Sequence, residues 1–406
     1  MKRILLIIPY GGVGGMERLA FSFYNYYKSQ GHFIKAVKFI KLDTDIINFG
    51  EDELYFSDKD YVHMSKPKRL AFNIIAPLRL RKLIKKHKIT HSIAFGDPPN
   101  FYSSVAFTNE FKIGSMHALK SVELSNNSML SKLTRFGFKN TYTKFDKLVC
   151  ISKAIKEDLL ENCGYPNDRN LEVIYNPHDV QEIQRRSKES LDEEEEQLFG
   201  DKTILFLGRL STQKSPWHLI KAFSLVLKKE PEAKLAIIGD GDPSVVDHLK
   251  KLISDLGIEN NIVFLGRKSN PYKYLVRARA LALASHYEGT PNVIVEAICL
   301  ETPIVSSNCT EGIVELMSLK QHPEVEANFT VESGIITPNL FKGKLGIPDN
   351  DDFIPEEELL AKALQNILSS DEYKKHLKNN KEALLAKFDL EKVANQYLEK
   401  RENIDL

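Results

Sequence analysis

Short apolar runs of strand length alternate with longer amphipathic stretches along this chain, and the series occurs twice, which restricts the fold to βαβ units built around parallel sheets. In the first half the runs are Ile4–Pro9, Phe33–Phe39, Ser92–Phe95, Ile113–Met116, Leu148–Ile151 and Val173–Tyr175. In the second they are Ile204–Leu207, Leu235–Ile238, Ile262–Leu265, Leu281–Ala284 and Ile304–Ser306. Each series implies a doubly wound α/β domain, and ligands of such sheets bind beyond the carboxyl ends of the strands. Two of them facing each other make a cleft. Between the series lies Gln181–Gly200, whose acidic run Asp192–Glu196 is too polar for a core and reads as a connector or surface helix opening the second domain. The expected boundaries are 1–178, 179–388 and a terminal segment 389–406. From Asp389 to Glu402 that segment carries Leu390, Val393, Ala394, Tyr397 and Leu398 at helical spacing, so it should lay one face on a neighbour. A length of 406 residues suits two domains.

Composition removes several alternatives. At 42% hydrophobic and 27% charged, the chain is neither disordered nor fibrous. Cys150, Cys163, Cys299 and Cys309 have no ligand spacing, which argues against a disulfide scaffold or a zinc module and fits a reducing cytosol. No charge-free apolar run approaches the ~18–20 residues of a membrane span. Met1-Lys2-Arg3 leads into only a short apolar stretch ending at Tyr10, a buried strand rather than a signal peptide. The net charge of +1 hides an asymmetry: residues 1–150 hold 24 Lys+Arg against 12 Asp+Glu, and the remainder 32 against 43. A basic half joined to an acidic half suggests an anionic partner for the first domain, a phosphorylated acceptor or an anionic membrane, with plain solvated charge as the alternative.

Three constellations carry chemistry. The first strand runs into Gly11-Gly12-Val13-Gly14-Gly15-Met16-Glu17-Arg18 and a helix, so backbone N–H groups can approach an anion, although a tight turn without a ligand reads equally well. The strand Ile204–Leu207 delivers Gly208-Arg209-Leu210-Ser211-Thr212-Gln213-Lys214, whose two cations either clamp a diphosphate or are surface charges. The segment Ser285-His286-Tyr287-Glu288-Gly289-Thr290-Pro291-Asn292-Val293-Ile294-Val295-Glu296 places a Gly/Pro loop before a helix whose free N–H groups suit a phosphate or sugar hydroxyls. Glu288 and Glu296 then hold separate polyol groups, or they are a capping and a helix-face carboxylate.

The block EGTPNVIVE, with Glu288 and Glu296 bracketing seven residues, resembles the E-x7-E motif of retaining glycosyltransferases, family 4 in particular. Gly208-Arg209-Leu210 with Lys214, the early glycine loop followed by Met-Glu-Arg, and Gly239-Asp240-Gly241 are similar to that family in the same order, over about Lys2 to Met317. The resemblance implies a GT-B fold: two Rossmann-like doubly wound domains facing a cleft, the first taking the acceptor and the second a nucleotide sugar, with the terminal helix crossing back to the first domain. It implies that Arg209 and Lys214 neutralise the donor diphosphate, that Glu288 contacts the transferred sugar and Glu296 the ribose, and that backbone groups of Gly289, Thr290, Pro291, Asn292 and Val293 bond sugar and phosphate oxygens. Gly14 and Gly15 would close on the diphosphate, and Gly208 and Gly239 would line the donor site. Arg267, in Gly266-Arg267-Lys268, lies in the segment that reads the nucleobase, and His117 matches a histidine placed by the donor sugar. No metal is implied. Two departures stand out. Glu301 occupies a position where relatives commonly have glycine, so the end of the Glu296 helix is expected to be shaped differently. Cys309-Thr310-Glu311-Gly312-Ile313-Val314-Glu315 replaces a Cys-Pro-Ser-Gly-Pro-Arg-Glu stretch.

On the acceptor side, Lys66, Lys68, Arg69, Arg79, Arg81, Lys82 and Lys85 are interleaved with Leu70, Ile74, Ile75 and Leu78, which suits peripheral attachment to anionic lipid, a core-packing helix being the alternative. A second basic and aromatic stretch, Lys132 to Lys147, is not accompanied by any nucleic-acid module, so no nucleic-acid partner is expected. The reading is a retaining, metal-independent glycosyltransferase. It would move a hexose or N-acetylhexosamine from a UDP-linked donor to a saccharide or lipid-linked saccharide at the inner membrane face, in cell-surface glycan synthesis. A UDP-sugar epimerase of the same fold and a non-catalytic sugar-nucleotide-binding protein are its rivals.

Overall fold

The computed structural model describes all residues except 10–14, 43, 44, 46, 125–128, 321–325 and 401–406. The chain divides into two units, Met1–Pro177 with Lys387–Leu406, and His178–Ala386.

The first unit holds a seven-stranded parallel sheet of β1 (Arg3–Ile8), β2 (Phe33–Ile40), β3 (Glu53–Ser57), β4 (His91–Phe95), β5 (Phe111–Met116), β6 (Lys147–Cys150) and β7 (Leu171–Val173), in the order β3-β2-β1-β4-β5-β6-β7. Helices cover both faces, so a central strand has no solvent side. Ile4 to Ile8 are accordingly all fully buried, split between two separate cores. β3 escapes the sequence reading because Glu-Leu-Tyr-Phe-Ser at the sheet edge is only half-buried, with an exposed Tyr55. β7 ends at Val173, two residues before the expected limit.

The terminal helix Leu390–Leu398 belongs to this first unit. Val393, Ala394, Tyr397 and Leu398 are buried with Phe23 and Tyr27 of the helix Gly15–Ser29. The Tyr397 ring lies 4.8 Å from that of Phe23, and Tyr27 donates its hydroxyl to the Ala394 carbonyl at 2.8 Å. Lys147 Nζ and Lys2 Nζ donate to the carbonyls of Gln396 (2.5 Å) and Leu398 (2.9 Å), completing a helix end whose last carbonyls have no intrahelical partner.

The second unit repeats the design with β8 (Thr203–Leu207), β9 (Lys234–Ile238), β10 (Ile262–Gly266), β11 (Ala280–Leu283), β12 (Ile304–Ser307), β13 (Phe329–Val331) and β14 (Gly334–Thr337), in the order β10-β9-β8-β11-β12-β14-β13. Only β13 runs antiparallel. β13 and β14, of three and four residues, were too short to register as runs. The acidic stretch before β8 is two helices, Val180–Ser187 and Glu193–Leu198, capped by the carboxylates of Asp179 and Asp192. One expectation is corrected here. Glu195, placed at the surface on polarity, is buried, because Tyr274 Oη (2.7 Å) and Lys268 Nζ (2.6 Å) satisfy its carboxylate.

Both sheets reverse direction of growth in the middle, between β1 and β4 and between β8 and β11. Loops at such a switch point diverge to opposite faces and leave a crevice at the strands' carboxyl ends.

Candidate functional site

The switch of the second unit gathers the charged motifs. The loop after β8 lies flat against the loop after β9: Gly208 N donates to the Ile238 carbonyl (3.0 Å), Leu210 N to Asp240 (2.9 Å) and Asp242 N back to Leu210 (2.9 Å). This contact fixes where Arg209 and Lys214 start. From the other side Ser215, buried and at φ +36, donates its hydroxyl to the Ala284 carbonyl (2.6 Å). His286 N donates to the Gln213 carbonyl (2.9 Å) and Gln213 Nε2 to that of Tyr287 (3.2 Å). The loops after β8 and β11 are thereby sewn together.

That seam brings Lys214 and Glu288, 74 positions apart, into contact. Lys214 Nζ and Ser285 Oγ both donate to Oε1 of the buried Glu288, each at 2.5 Å. A buried carboxylate is tolerable only with such partners. The Cys309 thiol reports the same charge: burial, and then the Glu288 carboxylate, push it well up, so it is inert as a nucleophile. Glu296 faces a different partner, accepting from Tyr272 Oη at 3.3 Å.

The helix Asn292–Cys299 begins after Pro291 with no side-chain cap on its first N–H groups. Beside it the Thr290 hydroxyl is buried and, among the described residues, has no hydrogen-bond partner. An uncapped N-terminus with the dipole's positive end beside Lys214 is built for an anion. The loop Gly289–Pro291 is backed by Gly312, where a Cβ would stand 2.4 Å from the Gly289 carbonyl oxygen. At the far end Glu301 takes φ +60, with Thr302 N bonded to the Ala297 carbonyl (3.0 Å) and Glu301 N to that of Ile298 (3.2 Å). The helix thus closes through a left-handed residue, the conformation that favours glycine, with glutamate in that position, and Lys381 Nζ holds its carboxylate at 3.1 Å. Glu301→Val should then lose about 1–2 kcal/mol in denaturant unfolding while Glu301→Gly loses none, because β-branching is least tolerated at this φ.

The remaining candidates are spread out. Arg209 and Arg267 are exposed on the loops after β8 and β10. Gly208 and Gly239 form the loop contact itself. Gly14 lies outside the described residues, and Gly15 opens its helix exposed in the first unit. His117, also in the first unit, has Nε2 2.8 Å from Ser115 Oγ. Burial, and then the Lys120 ammonium, push it down to about 3, so it is neutral at physiological pH. Lys120 is itself paired with Asp97 at 3.2 Å.

Lys66, Lys68, Arg69, Arg79, Arg81, Lys82 and Lys85 sit on the helix Lys66–Lys86. Arg69 and Arg79 donate to the carbonyls of Met64 (2.9 Å) and Phe56 (2.6 Å) and so fasten the helix. Its core face is Ala76, Pro77, Leu80 and Ile84, whereas Leu70, Ile74 and Leu78 point outward, 54%, 61% and 61% exposed. The helix therefore packs one face on the core and carries an exposed apolar row besides. Sequence reasoning gave no role to Ser285, Gln213 or Tyr272; the first two stand inside the motifs and only contact distances single them out. Among the described residues no helix is long and apolar enough to cross a membrane, and no group of three acidic, His or Cys residues is placed to hold a metal.

Comparisons with known proteins agree on a family. Residues 13–182 match Glycosyltransferase Family 4, and residues 184–328 match Glycosyl transferases group 1. A Campylobacter jejuni N-acetylgalactosamine-N,N'-diacetylbacillosaminyl-diphospho-undecaprenol 4-alpha-N-acetylgalactosaminyltransferase is 25% identical over 98% of this chain and 99% of its own. A second Campylobacter jejuni enzyme, an alpha-1,4-N-acetyl-D-galactosaminyltransferase acting on a diphospho-undecaprenol-linked saccharide, is 26% identical over 98% of both chains. Among solved structures, HepE of Anabaena in complex with UDP and glucose superposes with a TM-score of 0.73 at 17% identity, covering 98% of both chains.

Proposed function

We propose, for a chain that belongs to glycosyltransferase family 4 and has the GT-B fold, that it moves a hexose or N-acetylhexosamine, with retention, from a UDP-linked donor to a saccharide carried on a lipid diphosphate. The observation that carries this reading is the Lys214–Glu288 pair beside an uncapped helix N-terminus at the switch of the second sheet. Departure of the nucleotide leaves negative charge on the diphosphate and an oxocarbenium-like sugar. Lys214 and the N–H groups of Gly289, Thr290, Asn292 and Val293 are fixed in advance where that charge grows, so they bind the transition state more strongly than the ground state. Arg209, exposed, adds its charge once the diphosphate is present.

Glu288 is poorly suited to attack the sugar, since one of its oxygens already accepts from both Lys214 and Ser285. It serves instead to orient sugar hydroxyls and balance charge. Retention then follows a front-face path in which the departing phosphate oxygen takes the acceptor proton, with no metal in the reaction. Two relatives that span the whole chain act on diphospho-undecaprenol saccharides, and the likeness to HepE with UDP supports a uridine donor.

Nucleotide release should be measured from UDP-, GDP- and ADP-sugars with lipid-linked and free saccharides. The expected result is release from one UDP-sugar, dependent on acceptor and lost in Glu288→Gln, with an α-linked product from an α-linked donor. Donor binding without turnover under any acceptor would overturn the enzymatic reading in favour of a binding protein.

The acceptor's lipid gives the outward row Leu70, Ile74 and Leu78 a purpose. Apolar side chains flanked by Lys66, Arg81, Lys82 and Lys85 suit insertion at the inner face of an anionic membrane, each cation there contributing ~1 kcal/mol. Reversing Arg81, Lys82 and Lys85 to Glu should reduce co-sedimentation with vesicles containing phosphatidylglycerol by 10-fold or more. Binding indifferent to both this change and salt would remove the membrane assignment.

A further inference from the structure

Behind the Glu288 loop lies a buried chain of polar groups that the transfer reaction does not use directly. His218, on the helix Pro216–Leu227, presents Nδ1 to Glu357 Oε1 at 2.5 Å and Nε2 to His286 Nε2 at 3.0 Å. Glu357, fully buried, also receives Lys221 Nζ at 2.8 Å and the backbone N–H of Ile354 at 3.1 Å. The two imidazoles are wedged between Trp217 and, across a loop from β14, Phe341, whose ring is 5.3 Å from that of His286.

Glu357 is an acceptor, so His218 Nδ1 carries a proton and donates to it. Between the two Nε2 atoms one ring donates and the other accepts, so the contact is a hydrogen bond whichever ring carries the proton. The other nitrogen of the second ring, His286 Nδ1, is buried and has no hydrogen-bond partner among the described residues. Burial, and then the facing His218 ring, push His286 down to about 4, so the His286 ring is neutral at physiological pH.

His286 stands between Ser285 and Glu288, and its backbone N–H already bonds the Gln213 carbonyl. We propose that His218, set by Glu357, is a positioning residue for the transfer reaction: through its hydrogen bond with His286 it fixes the loop Ser285–Glu288 and with it the carboxylate that Lys214 and Ser285 share. The inference rests on the glycosyltransferase reading and deepens it. Ser307 Oγ anchors the first residue of the loop through the Ser285 carbonyl at 2.9 Å, so without the His218 bond the stretch beyond it can tilt, and a misplacement of about 1 Å at a reacting centre costs on the order of 100-fold.

The test compares three variants in donor turnover, UDP affinity and melting temperature. His218→Leu should lower kcat at least 10-fold and leave UDP affinity within threefold. His218→Gln should recover most of the loss, since its amide carries both donors and an acceptor and can bond Glu357 and the His286 ring together. The double variant His218→Leu with His286→Phe removes both polar partners, so it should regain melting temperature without regaining kcat. A single variant that retains kcat within twofold, or a double variant that recovers kcat together with stability, would overturn the assignment and leave the pair as packing. Wild-type protein that transfers no sugar would instead remove the reading beneath it, leaving nothing for the pair to position.

Discussion

Lys214→Met is expected to cut turnover about 100- to 1000-fold, the range for removing one preorganised donor from a developing oxyanion. Methionine keeps the stem that crosses the seam and deletes only the charge, so the loss reads electrostatics rather than packing. Two effects combine. The leaving diphosphate loses its fixed cation, and Glu288 keeps only the Ser285 hydroxyl in a site where a buried carboxylate needs a countercharge. Lys214→Arg should restore little, because the planar guanidinium cannot replace a point charge that already contacts Glu288 Oε1 at 2.5 Å. Steady-state UDP release together with a thermal melt separates the two effects. Turnover within threefold of wild type, in a variant that melts normally, would rule Lys214 out of the donor site.

Why so much of this arrangement was legible follows from where the information sits. Strands buried on both faces must be continuously apolar, so ten of the fourteen strands stand close to the expected runs and an eleventh, β7, is displaced by two residues. The three that do not are β3, half-exposed at an edge, and the short β13 and β14 at the other sheet's edge. The E-x7-E block was legible because its parts are neighbours in sequence. The contact from Lys214 to Glu288, and that from His218 to Glu357 at 139 positions' distance, depend on tertiary packing that no local pattern encodes. His218 in particular looks like an ordinary member of the apolar segment Pro-Trp-His-Leu-Ile. Periodicity likewise showed that the helix Lys66–Lys86 has apolar residues but not which of them turn inward. The partners Tyr274 and Lys268 that let Glu195 be buried were equally out of sight.

Gly239→Ala and Gly241→Ala should be among the most damaging substitutions in the second unit outside its charged groups. A Cβ on Gly239 would stand 1.9 Å from the Gly208 carbonyl oxygen, and one on Gly241 would stand 2.0 Å from that of Leu210. Both obstacles are backbone atoms, which cannot swing aside as a side chain does. Gly239 also sits at φ +150, which an L side chain rarely adopts. Relief requires the loops after β8 and β9 to part, breaking the bonds from Gly208 to Ile238, Leu210 to Asp240 and Asp242 to Leu210. At ~1 kcal/mol for each bond and ~1–2 for the strained backbone, the expected cost is about 3–5 kcal/mol, on the order of 10 °C in melting temperature. Gly200→Ala is the control, since nothing lies within 4 Å of its Cβ, and it should melt like wild type. The same parting moves the loop that carries Lys214, so molecules of Gly239→Ala that remain folded should also lose transfer at least 100-fold. Loss of stability with turnover per folded molecule intact would mean that the seam supports the fold but does not set the position of Lys214.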